Sequence, residues 1–148
     1  NSPGLSLQQR IDMITIVAKK SGGEGMVGGQ SLDLFYEDKD LSWEILQKIH
    51  LGKTAALLSA SLELGAIIAN APNAIRQTLA TIGEEVGLAF QLVDDLLDQE
   101  GCQDILGIEE TQKKSERLLE SALSKCKDLG IENTPLAALL PKLVQRAF

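Results

Sequence analysis

The chain contains one stretch, Phe90-Gln91-Leu92-Val93-Asp94-Asp95-Leu96-Leu97-Asp98, in which three carboxylates and one amide stand among apolar residues. At about 3.6 residues per helical turn, these four polar side chains fall at positions i, i+3, i+4 and i+7 and share one face. The other five side chains are apolar and suit a buried core. The stretch therefore predicts a helix that lines a core and carries concentrated negative charge along one edge.

This acidic face requires a positive partner. Two like charges about 6 Å apart repel by roughly 2–3 kcal/mol at an effective dielectric near 20. Carboxylate oxygens suit Mg²⁺, which keeps several waters and is usually bound through one or two carboxylates together with phosphate. A solvated acidic face is the alternative, but the apolar flanks and the absence of lysines between Gly83 and Ala89 favour a bound cation.

Composition favours one all-α domain spanning residues 1–148. The hydrophobic share is 44%, the aromatic share is only 3%, and there are four prolines, a combination that favours helices over sheets. A chain of this length buries about two-thirds of the surface of its unfolded state, so it can form a true core. No segment has the alternating pattern of a strand.

Net charge limits the classes of molecule that the chain can bind, and cysteine content indicates the compartment in which it works. The formal charge of −7 argues against nucleic acid and anionic membranes, which are bound through lysine and arginine. Any phosphate must therefore be neutralised locally, by metal. Cys102 and Cys126 lack the spacing of metal ligands, so we expect free thiols in a reducing compartment.

The sequence predicts neither a signal peptide nor a membrane span. No basic segment followed by an apolar one opens the sequence, which favours a cytoplasmic protein; a plastid location would require that a transit peptide had been removed. The longest apolar run, residues 55–71, is interrupted by Ser59, Ser61 and Glu63. We therefore expect it to be a buried helix.

Capping residues and helix breakers set the expected helices. Loops are expected over residues 1–4 and 37–40. The predicted helices run from Ser6 to Ser21-Gly22-Gly23, along the pattern that begins at Gly25, from Ser42 through Ile67, from Pro72 to Glu100-Gly101, over 108–129, and over 135–148.

Glycines recur in Gly25-Met26-Val27-Gly28-Gly29-Gln30-Ser31-Leu32-Asp33-Leu34, although the stretch continues into a helical pattern. Each glycine inside a helix costs roughly 1 kcal/mol relative to alanine, so several together imply close approach of another backbone or of a ligand. Both explanations stay open, and Gln30 and Asp33 are the polar groups that such a neighbour would meet. Gly83 and Gly87, one turn apart, also permit close packing.

Lys53 and His50 are the other polar residues of interest in the long central helix. Lysines among apolar residues usually extend to the surface, but the neighbouring Gly52 and Thr54 suit an anion site. His50 is the only histidine, and the sequence shows no obvious serine, cysteine or metal-ligand partner for it. We therefore expect a structural role for His50.

Three motifs in series resemble those of trans-isoprenyl diphosphate synthases, the family of farnesyl and geranylgeranyl diphosphate synthases. Gly28-Gly29-Gln30-Ser31-Leu32-Asp33-Leu34 is similar to G-G-Q-x-x-D-L, Lys53-Thr54 to K-T, and the acidic stretch to F-Q-x-x-D-D-x-x-D. Their order matches that of the C-terminal half of the family. The resemblance extends from about Leu5 to Asp98 and more loosely beyond.

The resemblance implies a helical bundle of the isoprenoid synthase type and Mg²⁺ as the cofactor. The implied reaction joins an allylic diphosphate to isopentenyl diphosphate: the first ionises to a carbocation, the double bond of the second attacks it, and a proton is lost. A carbocation requires preorganised oxygen dipoles in a dry cavity, and a departing diphosphate requires positive charge.

The same resemblance assigns roles to individual residues. Asp94 would ligate Mg²⁺ directly, with Asp95 and Asp98 supporting it directly or through water. The substrate-binding and catalytic set comprises Lys53, which would hold the allylic diphosphate; Thr54, Gln91 and Gln30, which would point oxygen dipoles at the cation; Asp33, which would orient the lysine and amide groups; and Phe90.

Two parts of the family pattern are not found in this sequence: a first aspartate-rich motif with its arginine pair, and a lysine-bearing loop after the second aspartate motif. We therefore expect a C-terminal portion of a synthase or a truncated protein, inactive alone and prone to pair with another chain, as in a homodimer. The alternative hypothesis is a non-catalytic partner or regulatory subunit of a synthase. The intact set of charged residues counts against it.

Overall fold

The computed structural model describes residues 4–37 and 39–145. Within these ranges the chain is helical and has no strand, which confirms the all-α prediction. Residues 1–3 of the predicted first loop, Asp38 of the charged turn and residues 146–148 of the predicted last helix lie outside them. The helices are α1 (Leu7–Ser21), α2 (Met26–Tyr36), α3 (Trp43–His50), a π-helical segment (Leu51–Ala55), α4 (Ala56–Ile68), α5 (Asn73–Asp98), α6 (Cys102–Leu106), α7 (Ile108–Asp128) and α8 (Pro135–Val144).

Helix α1 begins as its sequence predicts. The Ser6 hydroxyl accepts a hydrogen bond from the Gln9 amide at 3.1 Å, and the Gln9 side chain accepts one from the Ser6 amide at 2.8 Å. This reciprocal capping box satisfies two backbone donors that the first turn leaves unpaired. The helix ends at Ser21, beside the predicted Gly22-Gly23 break.

The long helix predicted from Ser42 is present as one continuous segment, Trp43–Ile68, made of α3, the π-helical segment and α4. In the part of the chain that the structure describes, it is the one helix long and apolar enough, by length and composition, to cross a membrane. Core helices meet the same criterion, and this segment packs against α1, α2 and α5.

The chain after Asp98 differs from the prediction. We expected α5 to continue to Glu100-Gly101, but Gln99 adopts a left-handed backbone conformation, with φ of 59°, and ends the helix at Asp98. Gly101, with φ of 68°, then turns the chain into the short helix α6, which the sequence analysis did not predict. Glycine adopts this conformation without the steric cost that other residues meet.

Helix α5 lies at the centre of the fold, between α4 and α7. Its residues Ile82, Val86, Ala89 and Val93 are buried against α7 and α8. On the α4 side, Gly83 and Gly87 allow the backbones to touch: a Cβ added at Gly83 would lie 2.5 Å from Ser59 Cα, and one at Gly87 would lie 2.5 Å from Ala55 Cα. The predicted close packing at these two glycines is confirmed.

Candidate functional site

The π-helical segment brings the three predicted motifs together. It lies between α2 and α5 and carries Lys53 and Thr54. A Cβ added at Gly29 of α2 would lie 2.2 Å from Lys53 N and 2.7 Å from Gly52 C, so only glycine allows this approach. Close approach of another backbone is therefore the reason for this glycine. Single-turn π segments inserted in α-helices re-aim side chains and frequently occur at functional sites.

Lys53 and Asp33 form an ion pair across α2 and the π-helical segment. The Lys53 ammonium donates to Asp33 Oδ2 at 2.6 Å, and the two side chains are 41% and 36% exposed. An ion pair this exposed contributes at most about 1 kcal/mol to stability. Asp33 thus positions the lysine while leaving its charge within reach of an anion.

Thr54, Gln91 and Asp94 form a hydrogen-bonded chain toward the acidic face. The Thr54 hydroxyl donates to Gln91 Oε1 at 3.0 Å, and the Gln91 amide donates to Asp94 Oδ2 at 3.1 Å. All three side chains are half-buried. Because Gln91 bridges a hydroxyl and a carboxylate, it fixes the orientation of both.

Asp95 is held differently from Asp94. His50 Nε2 lies 3.0 Å from Asp95 Oδ2, and the Cys102 backbone amide donates to the same oxygen at 2.9 Å. Burial alone would raise the pKa of Asp95, but the hydrogen bond and charge of His50, with the donors of Cys102, outweigh it and the net pKa is lowered. The expectation that His50 lacks a partner is wrong.

The thiol of Cys102 completes this cluster. Cys102 Sγ lies 3.8 Å from His50 Nε2, and the residue is fully buried. Burial, and then the neighbouring Asp95 carboxylate, raise the pKa of the Cys102 thiol. Sequence reasoning missed the cluster because His50 lies 45 positions before Asp95, and because Cys102 approaches Asp95 only after the chain reverses at Gly101. Gly101 is the local signal for that reversal.

The remaining predicted residues lie on the same helices. Gln30 and Phe90 are half-buried on α2 and α5, and Asp98 is exposed as the last residue of α5. Asp94 and Asp98 are one turn apart and offer hard oxygen donors with access to solvent. This donor set fits Mg²⁺.

The known proteins to which this chain is similar agree with one another in the kind of enzyme they are named for. The chain is 35% identical to farnesyl diphosphate synthase of Haemophilus influenzae, over 90% of this chain and 52% of that protein. The structure of an FPP/GFPP synthase from Zymomonas mobilis superposes with a TM-score of 0.86 and 32% identity, over 94% of this chain and 52% of that one.

A structure of geranyltransferase from Helicobacter pylori complexed with magnesium and isoprenyl diphosphate matches with a TM-score of 0.73 and 26% identity, over 95% of this chain and 51% of that one. The chain spans about half the length of these relatives. The family model described as Polyprenyl synthetase matches residues 5–117, most of the sequence. The chain therefore belongs to the polyprenyl synthetase family.

Proposed function

We propose that this chain forms part of a prenyltransferase that condenses an allylic diphosphate with isopentenyl diphosphate to make a longer prenyl diphosphate. The relatives named farnesyl diphosphate synthase support this reaction class. The complete set of charged and amide residues on α2, the π-helical segment and α5 counts against a non-catalytic partner subunit, which has no need of them.

The observation that carries the proposal is the junction of α2, the π-helical segment and α5. There a half-exposed lysine lies beside the hydrogen-bonded chain of Thr54, Gln91 and Asp94. Lys53 supplies the positive charge that a diphosphate needs, and Asp33 holds it in place. Thr54 and Gln91, with Gln30 on the facing helix, offer oxygen dipoles of the kind that stabilise a developing cation. Phe90 belongs to the same substrate-binding set.

Asp94 and Asp98 would hold Mg²⁺ in this proposal. The ion would neutralise negative charge on the departing diphosphate. Gln91 orients the Asp94 carboxylate for that role. Asp95 supports the site indirectly. His50 and Cys102 hold its carboxylate, and this fixes the last turns of α5, which carry Asp94 and Asp98.

The proposal extends to assembly and location. We propose a homodimer, in keeping with the exposed apolar side chains of α1. We also propose a cytoplasmic location and no nucleic-acid partner, given the charge of −7. The relatives reported above are bacterial and lend the plastid alternative no support.

Calorimetric titration of the chain with inorganic diphosphate, with and without Mg²⁺, tests the proposed site. Binding should require Mg²⁺ and should weaken at least about tenfold in Asp94→Asn, which removes a hard anionic ligand. Asp128→Asn, at the exposed end of α7, is the matched control and should bind like the unmodified chain. Binding that ignores Mg²⁺, or that survives Asp94→Asn unchanged, would overturn the assignment.

A further inference from the structure

Three potential metal ligands from three helices meet beside the acidic face. His50 is the last residue of α3, Asp95 lies in α5, and Cys102 is the first residue of α6. One ligand atom from each lies within 4.8 Å of the other two. The cluster combines nitrogen, oxygen and sulfur, whereas the carboxylates at Asp94 and Asp98 offer oxygen alone.

Two of the three separations are close to the edges of a tetrahedral site. For a zinc-sized ion with metal–nitrogen and metal–oxygen distances near 2.1 Å and a metal–sulfur distance near 2.3 Å, ideal angles put nitrogen and oxygen about 3.4 Å apart and nitrogen and sulfur about 3.6 Å apart. The observed separations are 3.0 Å from His50 Nε2 to Asp95 Oδ2 and 3.8 Å from His50 Nε2 to Cys102 Sγ. The third separation, between an Asp95 carboxylate oxygen and Cys102 Sγ, is within 4.8 Å, so rotations of these side chains would bring the three atoms to ligand positions.

The surroundings hold the three groups in place. The His50 and Asp95 side chains are only 7% and 14% exposed, and Cys102 is fully buried. Gly101 is required for this arrangement, because a Cβ there would lie 2.6 Å from Asp95 Oδ2. Of the three side chains, that of Asp95 retains the most contact with solvent, so we expect an ion and a water ligand to enter from its side.

We propose that His50, Asp95 and Cys102 form a binding site for a borderline-soft divalent cation of the Zn²⁺ class, separate from the oxygen donors assigned to Mg²⁺. Binding replaces the His50–Asp95 hydrogen bond with bonds from Nε2 and a carboxylate oxygen to the metal. Nε2 gives up the proton that it donated to Asp95, so that the ligating imidazole is neutral and carries its one ring proton on Nδ1. The Cys102 thiol releases its proton to solvent, and the thiolate becomes the third ligand. A water molecule takes the fourth position, as in zinc sites with three protein ligands.

Such a site has a structural consequence for α5. A metal bound by residues of α3, α5 and α6 would fix the end of α5. The Asp95 carboxylate would then be a ligand of that metal, and Asp94 and Asp98 would remain for Mg²⁺. The inference does not depend on the proposed reaction, because its ligands and its metal class differ from those of the diphosphate site.

Titration of the chain with Co²⁺, a spectroscopic substitute for Zn²⁺, tests the proposal directly. A thiolate bound to Co²⁺ gives a near-ultraviolet charge-transfer band, which oxygen ligands alone cannot produce. We expect one equivalent of Co²⁺ to produce this band, Zn²⁺ to abolish it, and excess Mg²⁺ to leave it in place. The band should be lost in Cys102→Ser, and the affinity for Zn²⁺ should fall at least about tenfold in His50→Gln, since even outer-shell changes cost that much.

Cys126→Ser is the matched control, because Cys126 is a second buried cysteine outside the cluster. It should keep the band, and circular dichroism should show that each compared variant has the helix content of the unmodified chain. The proposal is overturned if the folded unmodified chain gives no band, whatever the variants do. It is equally overturned if the band survives in Cys102→Ser or disappears only in Cys126→Ser.

Discussion

Asp94 and Asp95 are adjacent in the sequence, but their carboxylates have different surroundings. Successive helical residues point about 100° apart, so Asp94 is turned toward Gln91 and Asp95 toward His50. Asp94 receives a neutral amide donor, whereas Asp95 receives an imidazole and a backbone amide. Two identical residues are thereby suited to different tasks, one to a hard cation with its phosphate and the other to anchoring the helix.

Replacing Lys53 with alanine should weaken the binding of Mg²⁺ and diphosphate by about 10- to 100-fold. A hydrogen bond from a charged donor contributes about 1.5–3 kcal/mol. Stability should change by less than about 1 kcal/mol, because the ion pair with Asp33 is half-exposed. Calorimetry measures the affinity, and Lys113→Ala, which removes a lysine paired with Glu109 on α7, is the control. An equal loss in both variants would contradict the role of Lys53.

Stability should depend on pH through Asp95 when metals are removed with a chelator. Its pKa is lower in the folded chain than in the unfolded chain, so the ionised group stabilises the fold above its ordinary pKa. This contribution should be lost as the pH falls below about 5 and through the lowered value. Urea unfolding at a series of pH values should give a shallower acid dependence for Asp95→Asn than for the unmodified chain. Parallel curves would show that Asp95 does not carry the effect.

The residue pattern predicted the acidic helix but not the different hydrogen-bond partners of Asp94 and Asp95. Spacing alone places Asp94 and Asp95 on one broad face of the helix. The two carboxylates differ in the residues that pack against them, and spacing does not reveal those residues. His50 lies 45 positions before Asp95, and that pairing depends on how α3 crosses α5. Tertiary contacts of this kind leave no mark in local periodicity.

At the scale of single elements, close helix contacts depend on particular glycines. Gly83→Ala should destabilise the chain by about 1–3 kcal/mol, because the added Cβ would lie 2.5 Å from Ser59 Cα and the helices would have to separate. Gly65→Ala in α4 is the matched control: no atom lies within 4 Å of its added Cβ, so the change should stabilise the helix by about 0.5–1 kcal/mol. Urea unfolding measures both. Equal effects would show that the α4–α5 contact does not set the requirement for glycine.

Capping residues and helix breakers predicted the positions of most helices, but they did not predict the π-helical segment or α6. Ser6 and Pro72 marked helix starts because they act on the adjacent turn. The π-helical segment lies where Gly29 of α2 packs against Gly52, a contact between distant parts of the chain that local sequence does not reveal. Helix α6 depends on the left-handed conformation of Gln99, a residue type that usually continues a helix.

At the scale of the whole molecule, one side of α1 remains apolar and exposed. Leu7, Ile11, Ile14 and Val17 recur at helical spacing and are between 46% and 74% exposed. Helix α1 meanwhile packs against α4, where the buried Gln9 side chain donates to the Ile67 carbonyl at 2.8 Å. Contiguous exposed apolar side chains usually mark interaction surfaces, so this α1 apolar face supports the proposed homodimer.

Ile14→Glu should shift the chain from dimer toward monomer in sedimentation experiments. Burying apolar area contributes about 25 cal/mol per Å², so removing an isoleucine from the centre of the face and placing a charge there should weaken association at least about tenfold. Ile108→Glu, at the equally exposed start of α7, is the matched control and should leave the dimer intact. A chain that sediments as a monomer before any substitution would contradict the homodimer. If both variants weakened the dimer equally, the added charge would be acting through the net charge of the chain. The interface would then not lie on the α1 apolar face.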